Sequence, residues 1–126
     1  MKMTDKGIFC GNNSPKDPAN MTDPEKKHTP VIDCPDTVKA GEPFQVKINV
    51  GSIPHVMEEG HHIQWIDVHS GDNFNVRIDL TPVFTKPEVM VTLVKGGKHR
   101  TATIKVVERC NIHGQWIASK DVTVTE

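Results

Sequence analysis

The chain has 126 residues, with 15 basic and 16 acidic side chains and a formal net charge of -1. This near-neutral balance argues against a nucleic-acid interface or a basic membrane-binding stripe, and no apolar run is long enough to span a bilayer. No apolar signal segment opens the sequence, and three cysteines suit a disulfide framework poorly. We therefore expect one cytoplasmic domain with reduced thiols.

The first part of the chain shows no hydrophobic period. Residues 1–24 are rich in glycine, asparagine and proline, which is typical of a loop-like N-terminal arm. We place the folded domain at residues 25–126. Cys10 lies alone in the arm and is interpreted as an isolated thiol.

From residue 31 onward, apolar and polar residues alternate with the period of a half-buried strand. Turn signals separate the runs, which predict seven strands near Val31–Asp33, Phe44–Val50, Ile63–Val68, Phe74–Leu80, Val89–Leu93, Ala102–Val106 and Val122–Val124. This pattern indicates an all-β fold, a seven-stranded antiparallel immunoglobulin-like β-sandwich. The turn at Gly96–Lys98 further predicts a hairpin between the fifth and sixth strands.

Residue types that bind metals are concentrated at strand ends. A predicted loop carries His55 and His61, Cys110 and His113 follow a strand directly, and His28 precedes the first strand. A sandwich gathers functional residues in such places, although the sequence alone does not prove that these segments meet. Four imidazoles and one thiolate exceed what tetrahedral zinc requires, and this donor set also suits iron or copper. Five protein ligands on iron would leave an open octahedral position, which favours chemistry over a structural role.

These segments resemble the three ligand motifs of superoxide reductases. The motifs are, in order, Lys27-His28-Thr29-Pro30, Pro54-His55-x5-His61 and Cys110-Asn111-Ile112-His113. The resemblance covers residues 25–119 and fits the single-iron neelaredoxin type, since no Cys-x-x-Cys centre occurs near the N-terminus. It implies one iron per chain with four equatorial nitrogens and an axial thiolate, supplied by His28, His55, His61, His113 and Cys110. It also implies that ferrous iron gives one electron to superoxide, with two protons completing hydrogen peroxide.

The resemblance assigns roles to residues around these ligands as well. Lys27 matches a family lysine that attracts the superoxide anion and orders water for proton delivery. A glutamate usually precedes that lysine and occupies the sixth iron position in the ferric state. Here an ungapped match puts Lys26 at that place and Glu25 one residue too early, so Glu25 and solvent remain alternatives. Trp116 is expected to lie beside the site, and the backbone amides of residues 111–112 to donate to the cysteine sulfur.

Partners and rival functions complete the prediction. The family implies a rubredoxin-like electron donor and assembly as a dimer or tetramer. A blue-copper electron carrier is the main alternative, but its site uses a methionine close behind the C-terminal histidine, and no methionine follows His113. A structural zinc site is a second alternative and would need four ligands. We interpret His62, His69 and His99 as non-ligating and Cys34 as an idle or buried thiol.

Overall fold

Nine β-strands and one short helix make up the described part of the chain. The computed structural model describes residues 11–96 and 101–126, so Cys10, His99 and most of the Gly96–Lys98 turn lie outside the described residues. In chain order the elements are β1 (Asn12–Asn13), α1 (Asp23–His28), β2 (Pro30–Asp33), β3 (Thr37–Lys39), β4 (Phe44–Val50), β5 (Ile63–Ser70), β6 (Asn73–Asp79), β7 (Glu88–Leu93), β8 (Thr101–Cys110) and β9 (Gly114–Thr125). Within these ranges no helix is long and apolar enough to cross a membrane.

The strands form two sheets. The larger sheet has the order β1-β9-β8-β5-β6, and β3 also pairs with β9, while the smaller sheet has the order β2-β4-β7. Neighbours run antiparallel except that β1 and β3 each run parallel to β9. The longest pairing joins β8 to β9, from Thr101 opposite Thr123 to Cys110 opposite Gly114.

Alternation along the strands builds one core from both sheets. In β4 the side chains of Val46, Ile48 and Val50 are buried while Gln45 and Lys47 are exposed. The larger sheet contributes buried residues from β5, β8 and β9 to the same hydrophobic cluster. Each fully buried aliphatic side chain of this kind contributes about 1.5–3 kcal/mol of transfer free energy, so the core holds the two sheets together.

The all-β prediction is confirmed, but the count of seven antiparallel strands is wrong. The seven predicted segments lie in strands except for Leu80, one residue beyond the end of β6, and β4 has the predicted bounds. Two further strands, β1 and β3, have two and three residues, which is too short for alternation to show. Residues 11–24 also are not loop throughout, because β1 and the first two residues of α1 fall within them.

The predicted hairpin between the fifth and sixth strands is wrong as well. β7 pairs with β4 in the smaller sheet, whereas β8 pairs with β5 and β9 in the larger one. The connection after β7 therefore crosses from one sheet to the other. A glycine-rich turn between two alternating runs cannot distinguish such a crossing from a hairpin, since both reverse the chain.

Strand register brings together the strand ends that adjoin the candidate ligands. Ile63 at the start of β5 pairs with Cys110 at the end of β8, and Cys110 pairs with Gly114 at the start of β9. In the smaller sheet, Pro30 at the start of β2 pairs with Val50 at the end of β4. The segments that carry the candidate ligands all adjoin these strand ends.

Candidate metal centre

The helix α1 carries His28 at its last position, and a capping box stabilises its N-terminus. The Thr22 hydroxyl accepts from the Glu25 amide at 3.3 Å, and the Glu25 carboxylate accepts from the Thr22 amide at 2.9 Å. Pro24 lies in the first turn, where its missing N–H costs nothing. The Thr-x-x-Glu signal was present in the sequence, and it would have predicted a helix that begins at the end of the expected arm.

A glycine lets the next ligand loop approach this helix. A Cβ atom on Gly51 would collide with the carbonyl oxygen of Lys26 and lie 3.0 Å from that of Thr29. Because Gly51 follows β4 directly, this close contact holds the loop that bears His55 against the helix end that bears His28. A side chain at this position would separate the two histidines.

All five predicted ligands meet at this end of the sheets. One ligand atom each from His28, His61, Cys110 and His113 lie within 4.8 Å of one another. His55 joins them, with its Nε2 3.2 Å from His28 Nε2 and 3.6 Å from Cys110 Sγ. His113 Nδ1 lies 3.1 Å from His28 Nε2 and 3.7 Å from the same sulfur. The ring of His61 is centred 4.6 Å from that of His55 and 5.0 Å from that of His113.

Backbone carbonyls fix the orientation of two of these rings. His28 Nδ1 lies 2.6 Å from the Pro24 carbonyl oxygen, and His55 Nδ1 lies 2.7 Å from that of Val56. A carbonyl oxygen only accepts, so each Nδ1 carries the proton and donates it. Each Nε2 is therefore left with its lone pair directed into the cluster, which is the usual arrangement for histidine ligands.

Burial opposes the charged form of several of these groups. It lowers the pKa of His28 and His61, and it lowers the pKa of His55 to about 4, with the neighbouring imidazoles adding to each effect. Burial also raises the pKa of the Cys110 thiol, although hydrogen bonds from the His113 and Ile112 amides partly oppose this. These donors are residues 112 and 113, not 111 and 112 as predicted. Neutral imidazoles are the form that binds a metal.

The donor set fits a metal cation. His28 Nε2 lies 3.1–3.2 Å from a ring nitrogen of His113 and of His55, and His61 Nε2 is buried with no hydrogen-bond partner among the described residues. A buried polar atom of this kind normally has a partner. A cation at the centre would satisfy it and would favour the thiolate form of Cys110. Imidazole and thiolate together suit iron, copper or zinc.

Lys27 and Glu25 both precede His28 in α1, but their surroundings indicate different roles. Lys27 is exposed at the helix end, and its charge contributes to the lowered pKa of His28 and His61, so its field reaches the cluster. The Glu25 carboxylate accepts hydrogen bonds from the amides of Thr22 and Lys16, which lower its pKa. Its role at the sixth position stays a prediction, and in this conformation one oxygen caps the helix by accepting from Thr22 while the other accepts from the Lys16 amide.

Of the remaining residues considered in the sequence, Trp116 lies beside the ligand cluster, whereas His62 and Cys34 lie outside it. The Trp116 ring stacks on His28 at 5.3 Å and 27°, and its Nε1 donates to the His113 carbonyl at 3.2 Å. His62 lies outside the cluster, with its Nδ1 3.1 Å from the Glu58 and Glu59 carbonyls. Cys34 is a free, half-buried thiol away from the cluster.

Sequence reasoning missed a buried acid next to the thiol. Glu108 is fully buried, and neither carboxylate oxygen has a hydrogen-bond partner among the described residues. Burial raises its pKa from 4.5 to about 9, so it is neutral at pH 7. The alternation Ile104, Val106, Glu108, Cys110 places it on the inward face of β8, and this phase was readable from the sequence.

Comparisons with known proteins agree with this geometry. The desulfoferrodoxin family model matches residues 20–119. A protein of Methanocaldococcus jannaschii named "Putative superoxide reductase" is 44% identical over 115 residues, covering 90% of this chain and 95% of the relative. The neelaredoxin of Megalodesulfovibrio gigas is 33% identical over 119 residues, covering 79% and 88%. The solved superoxide reductase (neelaredoxin) of Ignicoccus hospitalis superposes with a TM-score of 0.68 at 35% identity, covering 77% and 80%. The chain belongs to the desulfoferrodoxin family.

Proposed function

We propose that the protein is a superoxide reductase, which reduces superoxide to hydrogen peroxide at a mononuclear non-haem iron site. The observation that carries this proposal is the convergence of four imidazoles and one buried thiol within a few ångströms. Superoxide reductases stand among the relatives and solved structures that the chain resembles. Each turnover consumes one superoxide, one electron and two protons and releases one hydrogen peroxide.

The ligand assignment follows from the donor atoms. We assign four nitrogen ligands and one thiolate ligand to one iron per chain, and the sixth position is left for substrate. The five ligands are His28, His55, His61, His113 and Cys110. Iron, when bound, supplies the single electron that superoxide accepts. The amides of Ile112 and His113 stabilise negative charge on the sulfur by donating to it. Trp116 covers one face of His28 and limits the access of water to that ligand.

Lys27 is the group that we propose for substrate attraction and proton delivery. Its exposed ammonium lies at the end of α1, next to ligand His28 in sequence, where a positive field steers an anion toward the site. Superoxide carries one negative charge, so this steering should depend on ionic strength. An ammonium group can also order the water that supplies the two protons.

The wider setting of the site is proposed on the same basis. Residues 25–126 form the iron-binding domain, with the two sheets arranged as in an immunoglobulin-like fold. The free thiols of Cys34 and Cys110 suit a reducing compartment, the cytoplasm. A rubredoxin-like donor would deliver electrons, and the side chains of Val56 and Ile112, 45% and 41% exposed beside ligand residues, offer it apolar contact. Assembly as a dimer or tetramer remains part of this proposal.

Metal analysis and superoxide kinetics test the proposal together. Protein produced with iron available should contain one iron per chain and should convert superoxide to peroxide without releasing oxygen. Cys110→Ser and His55→Ala should lose both iron and activity, whereas Cys34→Ser, the matched thiol control, should retain both. Native copper without peroxide formation would instead support an electron carrier. Zinc in a protein that does not reduce superoxide, and whose removal unfolds the chain, would support a structural site.

A further inference from the structure

The turn between β8 and β9 is hydrogen-bonded to the loop that carries His61. Asn111 lies in this turn, between the ligands Cys110 and His113, and makes three hydrogen bonds to residues 60–62. Its amide donates to the His62 carbonyl at 3.1 Å. Its side-chain Oδ1 accepts from the His62 amide at 2.8 Å, and its Nδ2 donates to the Gly60 carbonyl at 3.1 Å. One residue thus holds the backbone on both sides of His61.

The loop itself offers little to fix the position of His61. Glu58, Glu59 and Gly60 are exposed, and the Glu58 and His61 backbones bond mainly to each other, at 2.9 and 3.2 Å. Met57, just before this turn, accepts from the Val83 amide and packs against the core, so the end of the loop next to His61 is the part left to position. Contacts from a neighbouring segment are what set its place, and Asn111 supplies three of them.

The amide side chain matches this task in both of its halves. The His62 amide can only donate, so the oxygen of Asn111 must face it, and the Gly60 carbonyl can only accept, so the nitrogen must face that. The two partners therefore fix the orientation of the amide without ambiguity. A shorter or apolar side chain would leave the Gly60 carbonyl and the His62 amide to water.

We propose that Asn111 is a positioning residue that sets the distance of His61 from the thiolate and the other imidazoles. This inference rests on the proposed function in so far as His61 is a metal ligand. Asn111 belongs to the Cys-x-x-His turn that supplies two ligands and holds the loop that supplies a third. The spacing of ligands from the two segments is then determined by one side chain. Without it, His61 would reach the cation in only part of the population.

Competition for cobalt tests the proposal without superoxide turnover. The full chain is loaded with Co²⁺, and the metal is withdrawn by a chelator of known affinity. Asn111→Ala should weaken cobalt binding by about 10- to 100-fold, the usual effect of losing a residue that orients a ligand. The thiolate-to-cobalt absorption should persist, because Cys110 is untouched, while the ligand-field bands shift. Asn75→Ala, which removes an exposed amide that accepts from Ser70, is the matched control and should leave affinity unchanged.

A double-mutant cycle separates positioning from general destabilisation. If Asn111 acts through His61, adding Asn111→Ala to His61→Ala should change cobalt affinity by less than about twofold. A full effect in that background, or unchanged affinity for Asn111→Ala alone, would overturn the assignment. Asn111→Ser, which like the alanine variant loses the side-chain amide but keeps a polar side chain, replaces the alanine variant if the latter does not fold. A wild-type protein that shows this cobalt behaviour but no superoxide reduction would refute the proposed function and leave Asn111 as assigned.

Discussion

Replacing Glu108 by glutamine should stabilise the protein, and the gain should grow with pH. Glu108 is fully buried with unpartnered oxygens, and its pKa rises from 4.5 to about 9. Between these values the folded state holds a proton that the unfolded state has released. Stability contributed by the neutral acid is therefore fully present below pH 4.5 and is lost as pH rises toward 9. Glutamine has nearly the same shape and does not titrate.

The magnitude follows from the same two pKa values. From 4.5 to pH 7 is a span of ~2.5 pH units at about 1.36 kcal/mol each. At pH 7 the free energy of unfolding of the Glu108→Gln variant should then be about 3 kcal/mol higher than that of the wild type. The difference should approach zero at pH 4.5 and reach about 5 kcal/mol at pH 8.5.

Urea denaturation across this pH range measures the difference directly. Metal-free protein is required, because a cation at Cys110 would change the electrostatic field at Glu108. Taking wild type minus variant at each pH cancels the titration of the histidines. Glu88→Gln, at an exposed position of β7, is the control for replacing a surface carboxyl by an amide. A wild-type curve that runs parallel to that of Glu108→Gln would refute the reasoning.

Two further changes test the helix that carries His28. Lys27→Ala should slow the reaction with superoxide and flatten its dependence on ionic strength, since an exposed positive charge beside the site is lost. Stopped-flow rates at several salt concentrations check this, Lys27→Arg should restore the slope, and an unchanged slope for the alanine variant would count against steering. Thr22→Ala should lower the free energy of unfolding by about 1 kcal/mol, because the capping box loses its hydroxyl. Thr92→Ala, at an exposed strand position, is the control, and equal losses in the two variants would argue against the cap.

The strands that alternation predicted are those in which one face meets the core. Phe44–Val50 matches its prediction because every second residue is buried. β1 and β3 escaped prediction because their parallel pairing with β9 is a tertiary contact and leaves no local period. The crossing between sheets after β7 was missed for a similar reason, since only the pairing partners reveal it.

The candidate site divides along a similar line. Ligand types and their order along the chain were readable, and the structure brings all five residues together. What the sequence did not reveal depends on distances in space. The side chain of Asn111 reaches a loop about 50 residues away, and the Gly51 contact needs the helix that no alternation predicted. Glu108 and the capping box were different, because their signals were present in the sequence.

The pairing of the earliest strands with the last one has a consequence for synthesis. Asn12 pairs with Gln115, and Val38 with Val124, so β1 and β3 remain without their neighbour until β9 has left the ribosome. Contacts this distant in sequence are closed late and slowly, in folding times on the order of milliseconds to seconds. The nascent chain must carry exposed apolar segments for most of its elongation. Folding of this domain should therefore wait for the synthesis of β9, and truncation within β9 should prevent it.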